Sequence, residues 1–512
     1  MTEERARESA IKSLTEGRLL AKNGAYNFLG QAFSMVLAFI VIPILIRRLG
    51  INRFGILTLV WMVMGYFSIF DFGLGRAVTQ LLSKKLATGK DDEIPEILHM
   101  SLLLMLLTGL TGTVVGLGIS RWLIMSVLKI PPENKHEALI VLRLMMFSLP
   151  FDITTSGFRG ILSSYQRFDI INILRIPMGI ISYLGPLSVL LFSNSLVVIC
   201  LVIFAGRILS WLANLLACIK IVPTMRQRVR FRKSTIIPLV SFGGWMTVSN
   251  LTAPVMVYMD RFLIGAAISI AAMAYYTTPY DTITKLWIVP TAVLGTLFPA
   301  FANSFFSSKA HAARLFDCGM RYVILILFPA VLLVVTFAHE GLSLWLGEEF
   351  SRKSALVLQL LAAGVFINSM AYLPSAMLQG AGRADITAKL QMAELPVYII
   401  ILFWLVNNFG IKGAAVAWML RVTVDAAALF IISARVLSEA KGFIRNNLTI
   451  LSVALLSLLP AALYRDIAAK TIYAFVVLFG FALYSWLSIL ASEERAMVIN
   501  VLRLRLRAEG EK

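Results

Sequence analysis

Charge and reactive side chains are scarce in this chain of 512 residues. Asp, Glu, Lys and Arg make up only 15% of it and apolar residues 59%, against roughly 25% and 45–50% in soluble domains. Thiol and imidazole chemistry has little to draw on, with three cysteines and four histidines. Cys200, Cys218 and Cys318 fall within or beside apolar stretches, away from aqueous loops where disulfides form. His99, His136, His311 and His339 are scattered without metal-ligand spacing, so no metal site is expected. No G-x-x-x-x-G-K-[ST] stretch is present, which excludes a P-loop for ATP. A D-x-D sequence for metal-assisted binding of sugar nucleotides is also missing. Long polar segments are absent between the apolar runs; the longest on one side, Ser120 to Ala138, is too short for a catalytic domain.

What is present is apolar sequence in long runs. A spanning helix needs about 20 mostly apolar residues, and fourteen windows meet that measure: 24–47, 55–82, 97–119, 139–165, 172–193, 195–218, 239–265, 275–302, 316–338, 354–380, 386–407, 411–436, 448–464 and 470–491. Backbone groups facing lipid must be satisfied internally, and the runs lack the period-2 alternation of barrel strands. The expected fold is therefore an all-α polytopic membrane protein with 14 transmembrane helices.

The first 22 residues carry both charge signs and are expected to be no cleavable secretory signal. With both termini in the cytoplasm, cytoplasmic segments carry well over half of the 47 Lys and Arg, as the positive-inside rule requires. The densest cluster, Lys220 to Lys233, reads as a topological anchor that touches anionic lipid rather than nucleic acid.

Two stretches nearly repeat. GILSSYQRFDI (Gly160 to Ile170) aligns with AMLQGAGRADI (Ala376 to Ile386), Arg207 falls opposite Arg421, and Gly50 opposite Gly265. A shared offset of about 215 residues points to a unit copied in tandem. Each copy holds six windows, an even number, so the copies enter the membrane with one orientation, related by a pseudo-twofold along the membrane normal. The expected organisation is a cytoplasmic segment 1–23, a six-helix bundle 24–218, a basic linker 219–238, a second six-helix bundle 239–436, helices 13 and 14 within 437–491, and a cytoplasmic tail 492–512.

Charges remain inside the windows: Arg76, Arg143, Arg159, Arg207, Arg261, Lys285 and Arg421, with Asp71, Asp152, Asp260, Asp281, Glu394 and Asp425. Each costs roughly 2.5–3.5 kcal/mol at a helix centre unless it pairs or meets water. Spacing puts Asp281 with Lys285, Arg421 with Asp425, and Asp152 with Arg159 on shared helical faces. Arg143 and Asp260, near span ends, read as structural or snorkelling groups, and Arg207 and Arg421 as packing groups. Arg76, Arg159, Arg261 and Lys285 are expected to line a hydrated cavity suited to an anionic head group. Asp71, in FDFGLGRA where Gly73 and Gly75 interrupt the apolar run, is either a protonation switch or the partner of Arg76.

Three stretches, Arg47 to Ala77, Met259 to Ala302, and Leu378 to Ile386 with Gly410 to Ala426, resemble the Wzx-type polysaccharide flippase branch of the multidrug/oligosaccharidyl-lipid/polysaccharide exporter superfamily. With the fourteen-window layout the resemblance covers nearly the whole chain. It implies a V-shaped pair of six-helix bundles in the bacterial inner membrane that moves an undecaprenyl-pyrophosphate-linked O-antigen or capsule unit by alternating access. The diphosphate would meet Arg76, Arg159, Arg261 and Lys285, and Tyr280 would offer an aromatic surface to sugar, although Tyr275, Tyr276, Tyr280 and Trp287 equally suit an interfacial belt. Ion-coupled relatives imply antiport of a proton or sodium, with Asp71, Asp281, Glu394 and Asp425 as carriers and no other cofactor. Membrane lipids and other polysaccharide assembly proteins are the partners implied. A lipid II flippase of the MurJ type and a MATE-type drug exporter are the alternatives; an embedded polymerase or ligase is disfavoured by the short outer loops.

Overall fold

The computed structural model describes residues 37–72, 74–88, 93–165, 167–222, 225, 255–294, 297, 308–381, 383–464, 466–489 and 495. No strand occurs among them. The helices are α1 (37–49), α2 (Ile51–Phe67), α3 (Leu74–Thr88), α4 (Ile94–Trp122), α5 (Pro132–Met146), α6 (Leu149–Ser164), α7 (Phe168–Val189) and α8 (Leu196–Ile221). They continue with α9 (255–267), α10 (Ile270–Ile283), α11 (288–294), α12 (Lys309–Thr336), α13 (Ala338–Leu346), α14 (Glu348–Gly380), α15 (Ala384–Val436), α16 (Lys441–Leu463) and α17 (Ile467–Tyr484). Among the described residues nine helical stretches are long and apolar enough to cross a membrane. One of them, α15, is two spans in a single run, because Gly410 (φ 61°, ψ −140°) breaks it between the windows 386–407 and 411–436. The window 55–82 is likewise interrupted, by a 3₁₀ turn at Ser68–Asp71 and by Phe72 with φ 46°.

The chain divides into two compact units, Met1–Ala274 and Tyr275–Lys512. In the first, α3, α4, α6 and α8 meet around Val78, Leu98, Phe158, Ile161, Leu162 and Cys218. The crossing of α3 and α6 is close because both helices present glycine. A Cβ on Gly160 would sit 2.5 Å from the Gly75 carbonyl oxygen, and the Thr79 hydroxyl donates to the carbonyls of Gly75 (3.0 Å) and Gly160 (3.1 Å). Gly160→Ala must push two backbones apart and is expected to cost about 1–3 kcal/mol, read as a lower melting temperature of the purified protein. Gly118→Ala in α4, where a Cβ meets nothing within 4 Å, should be neutral or slightly stabilising.

One end of this unit is tied by Arg53, which pairs with Glu137 (3.0 Å) and donates to the Asn194 carbonyl (3.3 Å). Glu137 also accepts from the Leu196 N–H (2.9 Å). The sequence assigns these segments to one side of the membrane, and the fold gathers them.

The repeat is visible as local geometry. The 3₁₀ turns Ser68–Asp71 and Thr284–Trp287 lie 216 residues apart, as do the breaks before α7 and α15. At those breaks the Arg167 N–H donates to the Leu162 carbonyl and the Arg383 N–H to the Leu378 carbonyl, both at 2.9 Å. Arg167 pairs with Asp169 and Arg383 with Asp385 in the same i,i+2 manner. The Gly50–Gly265 correspondence does not hold. Gly50 (φ 76°) closes α1, whereas Gly265 lies inside α9, and the second break falls at Ile268–Ser269.

In the second unit α14 packs on α12, α13 and α15. Two polar clasps attach the last two spans to it. Buried Asn447 of α16 donates to Asp317 (2.8 Å), which also pairs with Arg321 (3.1 Å). Buried Lys470 of α17 donates to both oxygens of Glu340 in α13 (2.7 and 3.0 Å). Burial alone would raise the pKa of Glu340, but the Lys470 hydrogen bonds, a backbone N–H and the nearby charges of Lys470 and His339 outweigh it and hold the carboxyl below its usual value. Stability from this clasp is therefore present at neutral pH and lost as the pH falls below about 4.5. Lys470→Met should destabilise by less than the roughly 3–5 kcal/mol of a fully buried broken pair, since Glu340 is partly solvated. Melting curves at pH 7 and pH 4 check both points: the variant should respond less to acid than the wild type.

Candidate functional site

The first unit pairs one interior carboxylate with a cation. Asp152 on α6 bonds to Arg207 of α8 and accepts from the Ser148 hydroxyl (3.1 Å). The i,i+7 spacing suggested Arg159 as its partner, but a guanidinium from a second helix reaches it first. Arg159 is half-buried and makes no hydrogen bond or ion pair among the described residues. It does sense two charges, those of Arg175 on α7 and Asp152. Arg143 near the end of α5 donates to the Ser120 hydroxyl (3.3 Å).

Asp71, in the 3₁₀ turn, accepts from the Ser156 hydroxyl of α6 (3.3 Å). The Arg76 side chain lies outside the described residues, although its backbone belongs to α3. Arg261 is buried in α9 with its guanidinium 5.2 Å from the centre of the Tyr258 ring, a favourable place for a desolvated cation. Next to it the Asp260 carboxylate accepts from the Arg261 N–H (2.7 Å).

In the second unit Asp281 is half-buried near the end of α10 and Lys285 is exposed in the following 3₁₀ turn. Their i,i+4 spacing does not produce an ion pair, because three residues per turn swing Lys285 off the α-helical face. Tyr280 is buried, 6.1 Å from the Tyr276 ring and edge-on to Trp418 at 5.5 Å. Of the five residues assigned to substrate, three lie in the first unit and two in the second.

The residues that do come together belong to the two arms of α15. A cavity of about 220 Å³ is lined by Glu394, Val397, Tyr398, Ile401, Leu420 and Arg421, with Ala393, Ala417 and Val424 completing it. The Arg421 guanidinium stacks 5.4 Å from the Tyr398 ring centre. Glu394 places both carboxylate oxygens out of reach of solvent with no hydrogen-bond partner among the described residues. It feels the charges of Asp425 and Arg421. Asp425, half-buried one turn beyond Arg421, makes no ion pair with it among the described residues. Glu394 stands ten residues into α15, about 15 Å along the axis from the helix start.

The second copy differs from the first at these positions. Asp152, partner of Arg207, corresponds at an offset of 216 to Asn368, so Arg421 has no aspartate opposite it on α14. Its neighbouring carboxylates come instead from α15 itself. Tyr398 and Arg175 escaped sequence reasoning; Arg175 was detectable, since it and Arg159 each stand eight residues from Arg167 at the helix break.

A family model described as "Polysaccharide biosynthesis protein" matches residues 20–305. The chain belongs to that family. The chain is 30% identical over 416 residues to the "Putative O-antigen transporter" of Shigella flexneri, a match that covers 80% of the chain and 96% of the relative. Its structure is similar to an inward-facing multidrug resistance MATE family transporter of the MOP superfamily, with a TM-score of 0.65 at 17% identity, covering 80% and 95% of the two chains. It is also similar to the lipid II flippase MurJ in an inward closed conformation, with a TM-score of 0.64 at 14% identity over 89% and 98%. Likenesses at such identities show the fold, and they bear out an all-α polytopic membrane protein. The resemblance carried by Arg47 to Ala77 and the two later stretches is borne out with it.

Proposed function

We propose that this chain is a flippase that carries a lipid-linked oligosaccharide, joined to undecaprenol through a diphosphate, across the bacterial inner membrane. The observation that carries the reading is the 30% identity to an O-antigen transporter along nearly that protein's full length, and the chemistry inside the spans supports it. A membrane interior tolerates guanidinium groups such as Arg159 and Arg261 only where they meet a counter-charge, an aromatic face or water, and an anionic head group in transit supplies that counter-charge. Arg76, Arg159, Arg261, Lys285 and Tyr280 are the proposed substrate residues. The lipid tail stays in the bilayer while the head group crosses.

Transport rather than catalysis is the role proposed, driven by an ion gradient. Glu394 and Asp425 are the best-supported carriers, because their carboxyls lie within the spans without an ion pair among the described residues; Asp71 and Asp281 complete the proposed set. Either a proton or sodium suits such carboxyls. Other proteins of polysaccharide assembly would supply and consume the lipid-linked unit on the two faces, with both termini in the cytoplasm.

Complementation tests the reading. Expressed in strains lacking defined flippases, the chain should restore a surface polysaccharide and leave a peptidoglycan defect uncorrected. Rescue of peptidoglycan synthesis alone would replace the proposal with a lipid II flippase.

A further inference from the structure

Resting on the flippase reading, the first unit suggests where the diphosphate sits. α6 and α7 reverse direction around Arg167, and Arg159 and Arg175 stand eight residues before and after it. At 1.5 Å per helical residue, Arg159 lies about 8 Å from the end of α6 at Ser164 and Arg175 about 10 Å from the start of α7 at Phe168, at similar depth on successive helices that touch. Arg159 is half-buried and Arg175 is exposed, and the charge of Arg175 acts on Arg159.

Carboxylates nearby are already engaged. Asp152 is held by Arg207 and Ser148, Asp169 by Arg167 at the turn, and Asp71 reaches α6 at Ser156. Arg143, the other interior cation of α4 to α8, is at the far end of its helix beside Ser120. Among the described residues of these helices, Arg159 and Arg175 are thus two positive charges left over. The copied unit dispenses with them: 216 residues later the positions hold Ser375 and Gln391, while the Arg–Asp turn between them is retained as Arg383 and Asp385. The turn therefore folds without the two cations.

We propose that Arg159 and Arg175 form a two-guanidinium seat, present only in the first unit, that binds the diphosphate of a polyprenyl-linked substrate. A diphosphate esterified at both ends carries two negative charges, one on each phosphate, and each guanidinium offers a planar fork of donors that keeps its charge when desolvated. A monophosphate fills half of such a seat.

The full-length protein in nanodiscs, with and without phosphatidylglycerol, is titrated with undecaprenyl pyrophosphate, undecaprenyl monophosphate and inorganic pyrophosphate. The wild type should prefer the lipid diphosphate to the lipid monophosphate. Arg159→Gln and Arg175→Gln should each weaken the diphosphate by roughly tenfold or more, and the double variant should lose the preference altogether. Arg159→Lys and Arg175→Lys should recover part of the binding, and Ser375→Ala and Gln391→Ala should change nothing. Melting temperatures identify any variant that has misfolded, and the Lys variants then carry the test. Wild-type affinity in the Gln variants overturns the seat, as does a loss equal for diphosphate and monophosphate. An effect that follows phosphatidylglycerol content alone makes the pair a lipid anchor and overturns it too. Were the wild type to bind none of these lipids, the flippase reading would fall with it; binding by wild type and variants alike removes only the seat. Inorganic pyrophosphate bound as tightly as the lipid form would assign the site to a soluble anion and overturn the lipid-linked assignment.

Discussion

Transport by the Glu394→Gln variant should no longer respond to an ion gradient, while the protein inserts and folds as the wild type does. Glutamine keeps the size of the side chain and removes its ability to gain and lose charge. The site favours such a role because an ionised carboxylate without donors is costly inside a membrane, and both oxygens of Glu394 are shut away from solvent with no hydrogen-bond partner among the described residues. A group so placed relieves the cost by taking up a proton or by recruiting a cation, and either event can be linked to which face of the protein is open. For one proton per cycle, a gradient of one pH unit biases exchange by about 1.4 kcal/mol, a factor of roughly ten. Labelled substrate in proteoliposomes should show that stimulation for the wild type and a flat response for Glu394→Gln. If sodium is the ion, a sodium gradient replaces the pH gradient with the same result. Gradient dependence that survives in Glu394→Gln would exclude this carboxyl as the carrier.

The fold was legible in the sequence because hydropathy over windows of twenty residues is the dominant energetic term for a membrane helix. The described parts of the windows are mostly helical, with turns inside several of them, as at Phe72, Phe147–Ser148 and Phe337. Some breaks were marked by residues with special backbone freedom, as at Gly410. The break at Phe72 came just before Gly73 and Gly75 rather than at them, and Gly75 itself is needed for the close approach of α3 to α6. Side-chain pairing was less legible. Spacing along one helix says which residues share a face, but the partner of Asp152 arrives from α8, and the change of winding at Thr284–Trp287 dissolves the pair expected between Asp281 and Lys285. The cavity between the arms of α15 unites Glu394, Tyr398 and Arg421, which lie within 28 positions of one another, yet only the reversal at Gly410 brings them face to face. Glu394 and Asp425 were flagged as acids in apolar windows, and the i,i+4 spacing placed Arg421 beside Asp425; nothing in the spacing brought Glu394 to them.

Asn368→Asp should arrest transport by restoring to the second copy the ion pair that the first copy contains. In the first unit α6 and α8 lie side by side, with Asp152 bonded to Arg207 and the Trp211 ring N–H donating to the Thr154 hydroxyl (2.8 Å). In the second unit α14 and the later arm of α15 repeat that contact, since a Cβ on Gly364 would meet the Trp418 ring at 2.5 Å. One helical turn further along both helices are Asn368 and Arg421. An aspartate at 368 would therefore compete with Glu394 and Asp425 for the guanidinium. A charge-assisted hydrogen bond contributes about 1.5–3 kcal/mol, enough to lower the population of any state in which Arg421 must turn to the carboxyls of α15 by roughly ten- to a hundredfold. The variant should melt at or above the wild-type temperature and transport far more slowly. Asn368→Leu, with similar bulk and no charge, should retain more activity than Asn368→Asp. Equal transport by wild type and Asn368→Asp would mean that Arg421 is held in one place throughout the cycle, as Arg207 is by Asp152, and that the two copies use this arginine alike.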